Sequence, residues 1–466
     1  MNIAPQACVH TQRRSRLARA IAHAGGGVAV IPTAPERQRN RDNDHPYRYD
    51  SHFHYLTGFD EPDSWLLLDG HGRSTLLCRD RHPEREIWDG RRLGPEAAPA
   101  ALGVDDAFSV GALDQLLPER LANQGAVWFP FGVHTELQAQ VHRWLATVRS
   151  RERSGASCPA AQRDLGPLLA EMRLLKDATE LATMRRAAQI SAGAHARAMR
   201  FCAERYRIDP HAAVREFEIE AELLHEFRRH GAQGPAYPSI VAAGANACVL
   251  HYAAGATELR AGELCLIDAG CELDGYASDV TRTFPANGRF TPAQRELYDI
   301  VHAAQEAAVL ATRPGARQLD AHHAAVRVLA LGMLDSGLLD RAVAGDVDSV
   351  IESAAYRQFY MHGTGHWLGR DVHDVGEYLS LDEAPVEQPD GAGGTVLKKP
   401  SRLLQAGMVV TIEPGLYVRP AEGVPERFWN IGIRIEDDAV VTAEGCELIS
   451  RGVPAAAAEI ESLMRG

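Results

Sequence analysis

Four carboxylates, one guanidinium and a cluster of imidazoles stand where side chains of those types could do chemistry. Asp268 ends the apolar run "LCLID", and Asp279 follows eleven residues later, at the start of "DVTRTF". The intervening "LDGYAS" supplies a turn at Asp274-Gly275, so a hairpin would bring the two carboxylates together. Glu413 comes directly after "MVVTI", just before Pro414-Gly415. In "GIRIEDD", strand alternation sends Ile431, Ile433 and Ile435 to one side and Arg434 and Glu436 to the other. The stretch "MHGTGHWLGRDVHD", 361–374, holds His362, His366 and His373. His362 and His366 have the spacing of a helical zinc motif. Two glycines and the lack of a glutamate after the first histidine argue for a loop or strand instead, in which only one of the pair need bind metal.

Each of these groups has an ordinary reading when taken singly. The aspartates could cap turns, Arg434 and Glu436 could form a salt bridge, and a lone histidine could be structural. Taken together they offer Asp268, Asp279, Glu413 and Glu436 with His366. Four converging negative charges do not tolerate one another without compensation. Two divalent cations would supply it. An oxygen-rich set with one nitrogen favours Mn²⁺, with Co²⁺ or Zn²⁺ as alternatives. Two such ions about 3.5–4 Å apart would share a water, lower its pKa and aim it as a nucleophile.

The elements that must position these groups are legible in outline. Asp177 caps a helix with Glu180 three residues on, and Leu181, Met184 and Ala188 fall on one face. Another helix runs through "AAVREFEIEAELLHEFRRHG" to Gly231. A third begins at Thr291, with Pro292 at its first position and Gln294 closing a capping box. Strand-like runs lie between and after them, which gives an α+β order. Earlier in the chain, "VAVIP", "SWLLLDG", "STLLC" and "AVWFPF" alternate with helical segments as one α/β unit, 1–170. The polar "RSRERSGASCPAAQRD" connects it to a second unit, 171–466. The segment 379–400, rich in Pro, Gly and charge, reads as an exposed loop.

At 466 residues the chain is long enough for two domains, and its 45% hydrophobic content suits large cores. Its net charge of −13 argues against a nucleic-acid partner, which would need a basic face. No apolar run approaches a membrane span, so no membrane partner is expected. The basic "TQRRSRLARAIAHAG" reads as a first amphipathic helix ended by Gly25-Gly26-Gly27, with a transit peptide as the other reading. Eight scattered cysteines without a C-x-x-C pair fit reduced thiols in a cytoplasmic protein.

In order and spacing, "LHY" (250–252), "DAGCELDGYASDVTRTFP", "MHGTGHWLGRDVHD", "TIEPGLY" and "GIRIEDD" resemble the motifs of the pita-bread metallopeptidases. They are most similar to those of the aminopeptidase P family, the Xaa-Pro aminopeptidases. "DSHFHYLTGFDEPDSWLLL" and "EIWDGRRLG" look like that family's N-terminal creatinase-type domain, so the resemblance spans nearly the whole chain. It implies a creatinase-type α/β domain followed by a pita-bread catalytic domain. The implied reaction is hydrolysis of the bond between an N-terminal residue and a following proline, by a hydroxide bridging two metals. Asp268 and Asp279 match the aspartates on one metal, His366 and Glu413 match ligands of the other, and Asp279 and Glu436 match the bridging carboxylates. Glu413 also matches the glutamate that handles the proton of the bridging water. His251, His362 and His373 match histidines lining the substrate cleft, of which His362 and His373 should face the scissile amide and donate hydrogen bonds to it, and Arg434 resembles the arginine supporting the site beside Glu436. The other nitrogen of His366 should be held by an acceptor of the chain. Such relatives form dimers or tetramers, which implies a homo-oligomer. The 379–400 segment departs from the pattern by its length. The competing readings are a prolidase acting on dipeptides, a methionine aminopeptidase, a creatinase-like hydrolase, and a non-catalytic binding module on the same fold.

Overall fold

The computed structural model describes residues 3–389 and 394–466. The chain divides into two compact units, Met1–Met172 and Arg173–Gly466. In the first, the strands expected at Val28–Pro32, Trp65–Asp69, Ser74–Cys78 and Ala126–Phe129 all form. They join Asp106–Ser109 and Ala161–Asp164 in one six-stranded sheet. Val28–Pro32 runs antiparallel to Trp65–Asp69 and parallel to Ala126–Phe129. The sheet buries apolar residues on both faces, against separate clusters centred on Leu56 and Leu66 and on Val30 and Trp144. The helix Ile3–His23 precedes it, followed by Gly25, Gly26 and Gly27, all at positive φ. Among the described residues no helix is long and apolar enough to cross a membrane.

The second unit wraps helices around short antiparallel sheets. Asp177 accepts from Thr179 and Glu180 backbone N–H groups, and Glu180 closes the capping box of the 31-residue helix Ala178–Ile208. Met184 and Ala188 are fully buried on its inner face. Thr291, Pro292 and Gln294 start the helix Pro292–Ala311 as their types require. The helix expected from Ala212 begins later, at Glu216, because Val214–Arg215 pairs as a short strand with Glu258–Leu259. It ends at Arg229, two residues before Gly231.

The 379–400 segment is not a plain loop. Val386–Pro389 and Thr395–Lys398 pair as an antiparallel hairpin, with residues 390–393 outside the described residues. Its base is tied down where Arg317 meets both carboxylate oxygens of Glu383 at 2.7 Å and the Ser401 carbonyl at 2.8 Å. Composition shows the exposure of such a segment but not its pairing.

Candidate active site

Three antiparallel pairings bring the quoted motifs to one place. Leu264–Asp268 pairs with Thr281–Pro285, so that Asp268 lies opposite Thr281. The turn between them has both Asp274 and Gly275 at positive φ, the backbone expected of a tight hairpin turn. Val409–Ile412 pairs with Asp437–Val441, and Gly415–Val418 with Ile431–Arg434, placing Glu413, Glu436 and Arg434 beside one another in space. The "HGTGH" segment runs against the first of these strands. His366 N–H donates to Thr411 Oγ1 at 3.1 Å, and Glu413 N–H donates to the Thr364 carbonyl at 2.8 Å. Gly365 must be glycine here, since a Cβ would lie 1.9 Å from the Thr411 carbonyl oxygen. That close approach, rather than a helix, accounts for Gly365, while a Cβ at Gly363 would meet nothing within 4 Å.

Asp279, His366 and Glu436 present ligand atoms that all lie within 4.8 Å of one another. His366 Nε2 is 3.4 Å from Asp279 Oδ2 and 3.7 Å from Glu413 Oε1. Its Nδ1 is 3.0 Å from the Trp367 carbonyl oxygen, to which it donates. Nε2 is therefore the atom turned toward the carboxylates, and the acceptor expected for the other nitrogen is a backbone oxygen. Asp268 stands at the edge of this group. Arg434 Nη2 donates to its Oδ2 at 2.6 Å and Tyr237 Oη to its Oδ1 at 2.7 Å. Tyr237 also bonds Asp279 Oδ1.

Arg434 meets Asp268 directly and reaches Glu436 only through Thr281. Its Nε donates to Thr281 Oγ1 at 3.2 Å, and Thr281 in turn donates to Glu436 Oε2 at 2.6 Å. Its Nη1 donates to Tyr417 Oη at 2.9 Å, and that hydroxyl lies 2.8 Å from His362 Nε2. His362 Nδ1 donates to the Gly363 carbonyl at 2.7 Å. Both nitrogens of His362 are thus engaged within the chain. Burial and the nearby Arg434 push this ring down to about 4, so it is neutral. His373 is exposed, with its ring centroid 4.2 Å from that of His366. Partial desolvation of the ring, with His366 and His251 close by, lowers its pKa. Its neighbour Asp374 is locked by Arg173 Nη2 at 2.5 Å and Lys176 Nζ at 3.0 Å, which fixes the end of the histidine segment. His251, exposed, lines the same cavity of about 580 Å³ as His362, His373, Arg434 and the five candidate ligands.

The electrostatics identify what this donor set lacks. Burial and the neighbouring carboxylates raise the pKa values of Asp279 and Glu436, with that of Glu436 well above the ordinary range. Burial also pushes Glu413 up to about 7, against the pull of His366 and Arg434. Burial opposes a charged ring at His366, yet the Asp279 and Glu413 carboxylates outweigh it and take the ring up to about 9. Without a cation, burial and mutual repulsion favour the protonated forms of Asp279, Glu413 and Glu436. Divalent cations would replace those protons, and a set of four carboxylates with one imidazole fits hard or borderline ions.

Sequence reasoning missed Tyr237, Tyr417, Thr281, Thr411 and Asp438. Asp438 accepts the Asp279 backbone N–H at 3.1 Å. Thr411 and Tyr417 lie inside the motif "TIEPGLY", Asp438 inside "GIRIEDD" and Thr281 inside "DAGCELDGYASDVTRTFP", and all four could have been singled out there. Tyr237, in "GPAYPS", carries no such signal.

Comparison with known proteins places this geometry. The model for metallopeptidase family M24 matches residues 182–443, and that for the aminopeptidase P N-terminal domain matches 10–128. A Xaa-Pro aminopeptidase of Escherichia coli K12 is 44% identical over 443 residues, covering 94% of each chain. The structure of the aminopeptidase PepP of Pseudomonas aeruginosa superposes with a TM-score of 0.88 at 44% identity over 98% of each chain. So does aminopeptidase P of E. coli with the inhibitor Pro-Leu, with a TM-score of 0.88 at 42% identity over 98% of each chain.

Proposed function

Because the chain belongs to metallopeptidase family M24, and within it to the aminopeptidase P family, we propose that its buried carboxylate cluster is a two-metal centre for proline-directed peptide cleavage. The protein is a metal-dependent hydrolase that removes an N-terminal residue when proline follows it. The observation that carries the finer reading is the convergence of Asp279, His366 and Glu436 on one point of a wide cavity, with Asp268 and Glu413 at its edge. Asp268 and Asp279 would hold one cation and His366 and Glu413 the other, with Asp279 and Glu436 shared between them. Once bound, such a pair supplies Lewis acidity and a water of lowered pKa. The oxygen-rich donors favour Mn²⁺ as the native ion.

The chain's own groups do the rest. Glu413 takes the proton of the attacking water at a carboxylate oxygen and passes it toward the leaving proline nitrogen. His373 and His251, exposed on the cavity wall, face the scissile amide and donate hydrogen bonds as charge develops on it. His362, with both nitrogens engaged, keeps Tyr417 and Arg434 in register with Asp268. Residues 1–170 form the N-terminal domain and 171–466 the catalytic domain of a cytoplasmic homo-oligomer, a dimer or tetramer.

Turnover of Xaa-Pro dipeptides, Xaa-Pro-Yaa and Xaa-Ala-Yaa tripeptides by the Mn²⁺-loaded protein tests the proposal. The Xaa-Pro-Yaa tripeptide should be cleaved fastest. Equal cleavage of Xaa-Ala-Yaa would refute the proline requirement. Cleavage of dipeptides alone would make the chain a prolidase.

A further inference from the structure

The wall of the cavity that carries His251 hangs from one carboxylate far from the metal cluster in sequence. Leu250, His251, Tyr252 and Ala253 all line the cavity. They belong to a segment that leaves the strand Ile240–Ala243 and returns at Glu258–Leu259. Glu216 is fully buried at the start of the helix Glu216–Arg229, directly after the short strand that pairs with Glu258–Leu259. Its Oε1 accepts the Ala243 backbone N–H and Asn246 Nδ2, both at 2.9 Å. Its Oε2 accepts the Gly255 backbone N–H at 2.9 Å and Tyr252 Oη at 3.0 Å. Glu216 and Phe217 backbone N–H groups donate to the Thr257 and Gly255 carbonyls at 3.2 and 3.1 Å. Four donors from both ends of one loop thus converge on a single carboxylate placed at a helix N-terminus, where negative charge is favoured. None of the four is a charged side chain, so the carboxylate orders the loop rather than balancing a cation.

We infer that Glu216 is a positioning residue for catalysis. It fixes the 243–257 loop so that His251 stands at the right place on the cleft wall. The inference rests on the proposed reaction for its kinetic readout but not for its structural one. Glu216→Gln tests it sparingly. One amide oxygen keeps two of the donors, while the new NH₂ faces the other two, so the loop loses half its hold whichever way the amide turns.

The experiment is a double-mutant cycle on the Mn²⁺-loaded full chain with an Xaa-Pro-Yaa tripeptide, using Glu216→Gln, His251→Ala and the pair. Hydrogen exchange at the Ala243 and Gly255 amides is read alongside. Glu216→Gln should lower kcat/KM about tenfold, as expected for lost hydrogen bonds to a charged acceptor, with metal content unchanged. In the His251→Ala background it should cost less than about twofold, because the two residues act as one unit. Exchange at both amides should quicken. Equal losses in both backgrounds, or no loss in the first, would overturn the inference. Should Glu216→Gln fail to fold, Asn246→Ala takes its place in the same cycle with a smaller loss. If the wild-type protein cleaves no Xaa-Pro-Yaa, the reaction assignment fails. Exchange then decides alone, and unchanged protection of the two amides would refute the role of Glu216.

Discussion

Glu436 and Asp437 are consecutive and both buried, yet their surroundings are opposite. Asp437 accepts from Arg282 at 2.8 Å, Arg451 at 2.6 Å, Ser450 at 2.6 Å and Gln305 at 2.9 Å. Burial alone would raise its pKa, but Arg282 and Arg451 hold it below the ordinary value. Across the sheet the same alternation repeats. Arg282 turns to Asp437, while Asp279 and Thr281 turn to the cluster around Glu436. There the guanidinium of Arg434 is spent on Asp268, and the carboxylates rise in pKa instead. Burial is therefore not what distinguishes a structural acid from a functional one. The structural acid has its cation built into the chain; the functional ones lie a residue away with a place for a cation from outside.

The sharpest way to break this comparison is to neutralise each acid in turn. Glu436→Gln should lose metal and lower turnover at least about a thousandfold, the several kcal/mol that a metal centre contributes. The metal-free variant should nevertheless melt higher than the metal-free parent near pH 7, since folding no longer has to take up a proton at that position. Asp437→Asn should do the reverse. It leaves Arg282 buried and uncompensated, at a cost of about 3–5 kcal/mol in stability by denaturant titration. If both variants destabilise the metal-free chain alike, the contrast is wrong.

The histidines divide along the same line. His366→Ala should empty metal sites, as read by metal content per chain. His373→Ala should keep both ions while turnover falls about 100- to 1000-fold, the usual loss of one donor to developing charge. His362→Ala should also keep them, with a smaller loss, because it acts through Tyr417 and Arg434.

Stability against pH sharpens the contrast further. In the metal-free chain Glu413 holds a proton up to about 7 and His366 up to about 9, against 4.5 and 6.5 when unfolded. Between those values these two groups bind more protons in the folded state than in the unfolded one, so their contribution to stability falls as pH rises from about 4.5 to 9. Thermal midpoints across that range should decline for the metal-free protein and stay flatter with Mn²⁺. The smallest effect is expected from shortening the 386–398 hairpin, which holds no candidate ligand. Metal content should not change, and any effect should appear in preference for substrate length.

How much of this was legible depended on distance along the chain. The four candidate carboxylates stand out in the sequence because each ends or begins an apolar run, where a bare carboxylate is costly, whereas His366 stands out only beside them. The capped helix starts at Asp177 and Thr291 were legible because a cap is settled within four residues. Partners chosen by folding were not. Arg434 meets Asp268 across 166 positions and Tyr237 meets Asp279 across 42, and no local pattern selects such pairs. The pairing of Val386–Pro389 with Thr395–Lys398 is not legible because a segment rich in Pro, Gly and charge also describes an unpaired loop. The delayed start of the helix at Glu216 was missed because Val214–Arg215 is claimed by a strand from another part of the chain.

On the two-metal reading, protons in the metal-free cluster stand in for two cations. Calorimetric titration of the metal-free protein with Mn²⁺ near pH 7, repeated in buffers of different ionisation heat, counts both ions and protons. Two ions should bind per chain with net proton release, and Xaa-Pro-Yaa cleavage should recover as the sites fill. Binding without proton release, or full cleavage by protein stripped of metal, would contradict that reading.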